Sequence, residues 1–313
     1  MKMCRIVALI LLACIVVNCS SCSRSMAPDL QLVFKKRFEA DTVDQAVPFG
    51  SKGIVVSLNT DELLIMDKDG NELWRQQFNA EITSIYSGSD DRIVISLNNN
   101  EVQTYMYDND IFVLEYDFYF DDAVSDVSYL DYPYDTSLVL LDNGDLYAYG
   151  GNHNNIISEE SDEDDVIDEP TNILSDIKYI SEFYFVTSND SCGDLLIGEL
   201  NDSVPDGVIG VSNYTSGPIL YTSDTAYTIS STQTDYSVVS DFAPNSFTSF
   251  KYGMLYSHDD TWYYTGPISA QPKGKSSPQA DNEQVNLPEG YTYQIIYSGI
   301  MGYDEHTIVC YSI

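Results

Sequence analysis

Basic residues are scarce in this chain. It has 14 Lys plus Arg against 49 Asp plus Glu, a formal net charge of −35. A body this acidic repels phosphate backbones and anionic headgroups, which excludes nucleic acid as a partner. Solubility outside the cell is the plain use of such charge. Histidine is scarcer still. His153, His258 and His306 stand far apart and without ligand spacing. There is no Gly-x-Ser-x-Gly elbow and no His-Glu-x-x-His. Carboxylates are too plentiful for any two to be singled out as an acid/base pair. The sequence therefore assigns no catalytic, cofactor-binding or metal-binding residue. Cysteine is sparse in the body: only Cys192 and Cys310 lie beyond residue 22. They either pair in an oxidising compartment or stay as free buried thiols.

What is present is a repeated unit. Residues 53–78 read GIVVSLNTDELLIMDKDGNELWRQQF. Ile54 to Leu58 is a mostly β-branched apolar run, suited to a strand buried on both faces. Asn59 to Glu62 is turn chemistry, and Leu63 to Met66 is a second apolar run. Asp67 to Asn71 is a second turn, in which Asp tolerates and Gly readily accepts left-handed angles. Glu72-Leu73-Trp74 opens a third strand, so the unit is an antiparallel meander.

Copies recur. Residues 92–102 repeat the first strand and turn, and residues 137–150 do so again, at steps of about 40 residues. Fainter copies stand at 182–188, 217–229, 252–265 and 306–312. Such spacing fits short four-stranded antiparallel blades, and the starts predict an all-β propeller of about seven blades, six to eight. A β-sandwich with long loops is the alternative, but sandwiches do not usually repeat a motif at blade spacing. Leu32-Val33-Phe34 is expected to pair near Thr307-Ile308-Val309 and close the ring.

Two stretches resemble known repeats. Leu64 to Trp74 (LIMDKDGNELW) resembles the repeat of PQQ-like, quinoprotein-type propellers. Leu141 to Asn152 (LDNGDLYAYGGN) resembles an RCC1-type repeat. Each match covers one blade. The resemblance implies a propeller and little about activity, because propellers host many unrelated functions.

The N-terminus reads as a leader. Lys2 and Arg5 precede an apolar run from Ile6 to Val17, too short to span a bilayer comfortably and suited to a secretory signal. Asn18-Cys19-Ser20-Ser21-Cys22-Ser23 follows. A cysteine after a small residue at the end of such a run resembles a bacterial lipoprotein signal. That implies lipidation of Cys22, with Cys19 and Cys14 as alternatives, and ordinary secretion with cleavage near Ser21 as the other reading. The expected organisation is a signal peptide at 1–21, a tether at 22–29 and a single propeller domain at 30–313.

Two insertions interrupt the domain. Residues 159–169 (EESDEDDVIDE) repel one another and lack apolar anchors, so a disordered acidic loop is expected. Residues 266–290 are rich in Pro, Gly, Ser and Gln and are expected to be a polar loop. Asp67 to Glu72 mimics the start of a calcium loop but lacks the distal bidentate Glu, so a turn is the better reading. Tyrosine is abundant at 25 residues, including Tyr105, Tyr107, Tyr147 and Tyr149. Packing between blades explains them, and a stacking platform for glycans or peptides is the functional alternative.

These readings lead to a non-enzymatic cell-envelope binding or scaffolding module. It would be lipid-anchored on the outer face of a bacterial membrane and would contact protein, peptide or glycan through its loops. No cofactor is expected. The alternatives are a secreted glycan-cleaving hydrolase or lyase with carboxylates at the ring axis, and a calcium-stabilised adhesion module.

Overall fold

The computed structural model describes residues 30–312 except for 88, 132–133, 152–168, 197, 202–203, 215–216, 224, 230–235, 242–246, 251–252, 259–260, 266–282 and 297–298. These residues form strands in seven four-stranded antiparallel sheets. The chain begins in the last sheet, with β1 (Gln31–Arg37). Blade 1 follows as β2 (Val43–Phe49), β3 (Gly53–Leu58), β4 (Glu62–Asp67) and β5 (Glu72–Gln77). Blade 2 is β6 (Ile82–Tyr86), β7 (Arg92–Leu97), β8 (Glu101–Asp108) and β9 (Ile111–Tyr119). Blade 3 is β10 (Val124–Leu130), β11 (Thr136–Leu141), β12 (Leu146–Tyr149) and β13 (Thr171–Leu174). Blade 4 is β14 (Ile177–Ser181), β15 (Tyr184–Thr187), β16 (Cys192–Asp194) and β17 (Gly198–Asn201). Blade 5 is β18 (Gly210–Tyr214), β19 (Gly217–Tyr221), β20 (Thr225–Ile229) and β21 (Tyr236–Asp241). Blade 6 is β22 (Phe247–Phe250), β23 (Gly253–His258), β24 (Thr261–Thr265) and β25 (Glu283–Val285). Blade 7 is β26 (Thr292–Ile296), β27 (Gly299–Asp304) and β28 (Thr307–Ser312), completed by β1. Among the described residues no helix is long and apolar enough to cross a membrane.

The second strand of each early blade explains the apolar runs. Successive side chains of a strand point to opposite faces, and here both faces meet another blade. Ile54, Val56 and Leu58 pack with Met301, Ile308 and Cys310 of blade 7. Val55 turns the other way, with Leu63 and Ile65, onto Ile85, Ile93 and Ile95 of blade 2. The pattern continues around the ring. Val94 and Val102 meet Val139 and Tyr149; Leu138 and Leu146 meet Ile177 and Phe185; Val186 and Cys192 meet Val211 and Leu220. Ile219 and Ala226 meet Tyr256, and Leu255 and Val285 meet Tyr293 and Ile300. One apolar cluster thus fills each junction between blades.

Turn chemistry sets the register. Asn59 and Thr60 both have positive φ, 54° and 69°, as a primed hairpin turn requires. The first residue of this turn also ties the blade inward. Asn59 N–H donates to the Thr42 carbonyl at 2.9 Å, Asn98 to Glu81 at 2.9 Å and Asp142 to Ala123 at 2.9 Å. The repeated Asn or Asp therefore links the outer part of a blade to the start of its innermost strand.

The ring closes through β1, as the sequence predicts, but in a shifted register. Phe34 lies opposite Cys310, and Lys35, Lys36 and Arg37 lie opposite Val309, Ile308 and Thr307. Register here is set by Phe34. Its ring lies against Gly70, where an added Cβ would come within 2.9 Å. Gly70 has φ +84°, so no other residue suits that turn. Lys36 Nζ donates to the Gly70 carbonyl at 3.3 Å, and the Phe38 N–H to that of His306 at 2.8 Å. Strand β1 therefore joins blade 7 to blade 1.

Two sequence expectations need correction. The stretch 306–312 was expected to open a blade, yet β28 is the third strand from the axis, and β27 precedes it. The polar stretch 266–290 ends in structure: β25 is the outer strand of blade 6, with Val285 buried in the junction to blade 7. Three residues with one apolar side chain are too short to signal a strand.

Candidate functional site at the ring axis and the edge of the second blade

The first strands of successive blades contact one another around the ring, which places them at its axis. In blades 1 to 4 each begins with a register irregularity, after which Gln45, Ser84, Asp126 and Tyr179 occupy equivalent positions. A bulge re-aims the side chain that follows it. Ser84 Oγ donates to Asp126 Oδ1 at 2.9 Å, as does the Val127 N–H at 2.9 Å. Burial nonetheless holds the Asp126 carboxyl above the usual carboxylate range, with these hydrogen bonds opposing it. From blade 5 Tyr221 joins the group, its ring lying over Gly210, where a Cβ would collide with it. Burial raises the Tyr221 phenol, and the Asp126 charge and Tyr179 add to that.

A second tier sits further along: Tyr86 and Ser128 are two residues on in the same strands, and Glu182 lies in the turn after β14. Tyr86 donates its hydroxyl to Glu182 Oε1 at 2.8 Å, and the Glu182 N–H donates to Ser128 Oγ at 2.9 Å. Glu182 has φ 46°, a left-handed conformation that turns it toward this contact. Burial, then the charges of Glu182 and Asp131, push the Tyr86 hydroxyl well above its ordinary value. Ser84, Tyr86, Asp126, Ser128, Tyr179, Glu182 and Tyr221 thus form a polar column contributed by blades 2 to 5.

The column predicts a pH effect. Because the folded state raises the Asp126 pKa, ionising it disfavours the fold. Stability relative to an uncharged side chain is therefore full below the unfolded value of about 4 and falls as pH rises through the raised folded value. Asp126→Asn is expected to melt above the parent protein at pH 7, and the gap to vanish near pH 3. Equal melting temperatures at both pH values would show that burial does not strain this carboxyl.

The second region is the outer half of blade 2. Glu101 is 8% exposed. It accepts hydrogen bonds from Asn99 Nδ2 at 3.0 Å, Tyr119 Oη at 2.8 Å and Gln103 Nε2. Burial opposes its ionisation, but those donors outweigh it and hold Glu101 below the usual range. Asp117, hydrogen-bonded to Glu101, moves up instead, by burial and by the Glu101 charge. The two carboxyls are thus pushed in opposite directions, Glu101 toward its charged form and Asp117 toward its neutral one. Tyr105 Oη donates to Gln103 Oε1 at 2.6 Å, and Gln76 Nε2 donates to Tyr105 at 3.0 Å, which connects the network to blade 1.

Strand β9 borders this network. It is the edge of its sheet and the longest strand of the fold as described, at nine residues. Phe112, Tyr116 and Phe118 pack inward, Phe112 onto blade 1 and the other two onto blade 3. Ile111, Val113, Leu114 and Tyr119 do not: they are 61%, 46%, 45% and 68% exposed.

The residues singled out by sequence scatter. Cys14, Cys19 and Cys22 lie outside the described residues, as do His153 and nearly all of the acidic insertion. His258 ends β23 of blade 6 opposite Thr261, and His306 sits in the turn before β28 of blade 7. Cys192 and Cys310 are free, buried in different blades, and burial pushes both thiols up to about 12. Asp67 serves its turn: its carboxylate accepts the N–H groups of Asp69 at 2.9 Å and Asn71 at 2.8 Å. Tyr105 and Tyr149 are core residues, 3% and 0% exposed. Sequence reasoning missed Asp126, Glu182 and β9.

No protein-family profile matches the chain, and no curated protein does either. Among solved structures, the β-propeller domain of Cps50 (Swd1) from Myceliophteria thermophila matches with a TM-score of 0.61. The match covers 91% of this chain and 99% of that one at 8% identity. The chain is a seven-bladed β-propeller of small four-stranded antiparallel sheets. At that identity the likeness concerns fold alone.

Proposed function

We propose that the chain is a non-enzymatic binding or scaffolding module of the bacterial cell envelope, anchored by lipid at Cys22 and engaging a protein partner through blade 2. The lipoprotein-like leader and the acidic composition support the compartment. The PQQ-like and RCC1-like stretches suit a propeller that works by contact. The observation that carries the reading is the outer edge of β9. Edge strands are commonly guarded by charge, Lys above all. Strand β1 carries Lys35, Lys36 and Arg37, and β5 carries Arg75. Strand β9 has no basic residue and no proline, and exposes four large apolar side chains. An apolar edge of this kind favours a partner over solvent.

The test is capture from envelope extract with the domain starting at residue 27. Ile111→Lys with Leu114→Lys is expected to abolish capture while shifting stability by no more than about 0.5 kcal/mol, since both side chains are exposed. Undiminished capture counts against the reading.

A second reading, a glycan-cleaving hydrolase or lyase, draws on the axial column. Asp126 with its raised pKa suits a general acid, and Glu182 is a second carboxylate on the same column. Turnover of a polysaccharide that is lost in Asp126→Asn would favour it.

A further inference from the structure

We infer that the outer edge of β9 takes an extended segment of a partner protein as a fifth strand, and that this segment carries a Lys or Arg between two apolar residues on the face turned toward blade 1. The inference rests on the reading of β9 as an interaction edge and adds the chemistry of what binds there.

The pairing of β8 with β9 shows which side chains share a face. Tyr105 lies opposite Leu114, Gln103 opposite Asp117 and Glu101 opposite Tyr119. Alternate residues point the same way, so Leu114, Asp117 and Tyr119 line one face in that order. That face is turned toward blade 1, because Tyr105 and Phe112 pack there. An added strand would lay its own alternate side chains beside these three. Beside exposed Leu114 and Tyr119, apolar side chains gain buried surface. Beside Asp117, backed by Glu101, a cation is favoured and a carboxylate repelled.

The surroundings sharpen the choice. Arg92 reaches β9 from β7, but it is already held by Glu115 at 2.8 Å and Asp91 at 3.1 Å, on the other face. A second copy of this chain is a poor occupant. Pairing two bodies of formal charge −35 sets like charges side by side, with Asp117 facing acidic strands. Backbone hydrogen bonds would supply affinity, and the cation would supply choice of partner.

Two synthetic peptides test this. Both alternate Thr with Val or Ile; one has a central Lys and the other a central Glu at the same place. Fluorescence anisotropy with the full domain is expected to show the Lys peptide binding about tenfold or more tightly than the Glu peptide. Asp117→Asn should erase most of that preference, and Leu114→Lys should weaken binding of both. The preference should also shrink at high salt. Equal binding of the two peptides, or binding untouched by Leu114→Lys, overturns the inference, as does failure of both peptides to bind. If envelope capture still depends on Ile111 and Leu114 in that event, only the strand chemistry falls. If capture is independent of them as well, the broader reading falls with it.

Discussion

Removing residues 30–38 is expected to lower the melting temperature by about 10 °C or more and to blur the cooperative transition, because the ring would lose its clasp. Strand β1 is the outer strand of blade 7, yet its Phe34 and the following Phe38 pack in the cluster shared with blade 1. Phe38 is 6% exposed within the cluster that also holds Val43, Ile54 and Ile308. Losing a buried phenylalanine alone costs about 3–5 kcal/mol. The deletion also frees the edge of β28 and removes the Phe34 contact with Gly70. Against a domain stability of about 5–15 kcal/mol the combined loss is large. Thermal melting followed by circular dichroism measures it. An unchanged melting temperature would mean that inter-blade packing alone holds the ring shut.

Replacing Tyr149 separates packing from hydrogen bonding at the junction of blades 2 and 3. The side chain is fully buried, with its ring against Phe118 at 4.9 Å and Tyr116 at 5.5 Å between centroids. Its hydroxyl meets Thr104 Oγ1 at 2.8 Å, and Thr104 in turn meets Ser137 Oγ at 3.0 Å. Tyr149→Phe removes only the hydroxyl. Thr104 and Ser137 keep each other, so the expected loss is about 1 kcal/mol. Tyr149→Ala also leaves a cavity under two aromatic rings and should cost about 3–5 kcal/mol. Urea midpoints at unchanged slope read both values. Equal losses for the two variants would assign the whole effect to the hydrogen bonds.

The architecture was legible because blades bury their second strands on both sides. Residues such as Ile54, Val55 and Val56 then read as an unbroken apolar run, and the turn after such a run takes left-handed angles at Asn59 and Thr60 in blade 1, Asn100 in blade 2, Gly144 in blade 3 and Asp190 in blade 4. Blade 7 was harder. Strand β27 contains Gly299 and Gly302, and the ring of Tyr293 fills the space a side chain would take at Gly302. The apolar volume is supplied from the neighbouring strand, so the strand's own sequence looks weak. The axial column was not legible at all. Ser84, Asp126, Tyr179 and Glu182 share no motif; bulges at the same place in successive blades aim the first three, and a left-handed turn brings in Glu182. Nor does a sequence distinguish a strand in the middle of a sheet from one at its edge. In β9 the available sign was its nine-residue length with large apolar side chains and no lysine or proline.

The pairing of Gln31 with Ser312 has a consequence for biogenesis. The first strand made must wait for the last before it finds its place. Until β28 leaves the ribosome, β1 has no sheet to join, and blade 1 presents Val56 and Leu64 to water instead of to Met301 and Ile308. The nascent chain spends its whole synthesis with an unlatched seam, and chaperones that shield apolar surface have their natural point of attachment there.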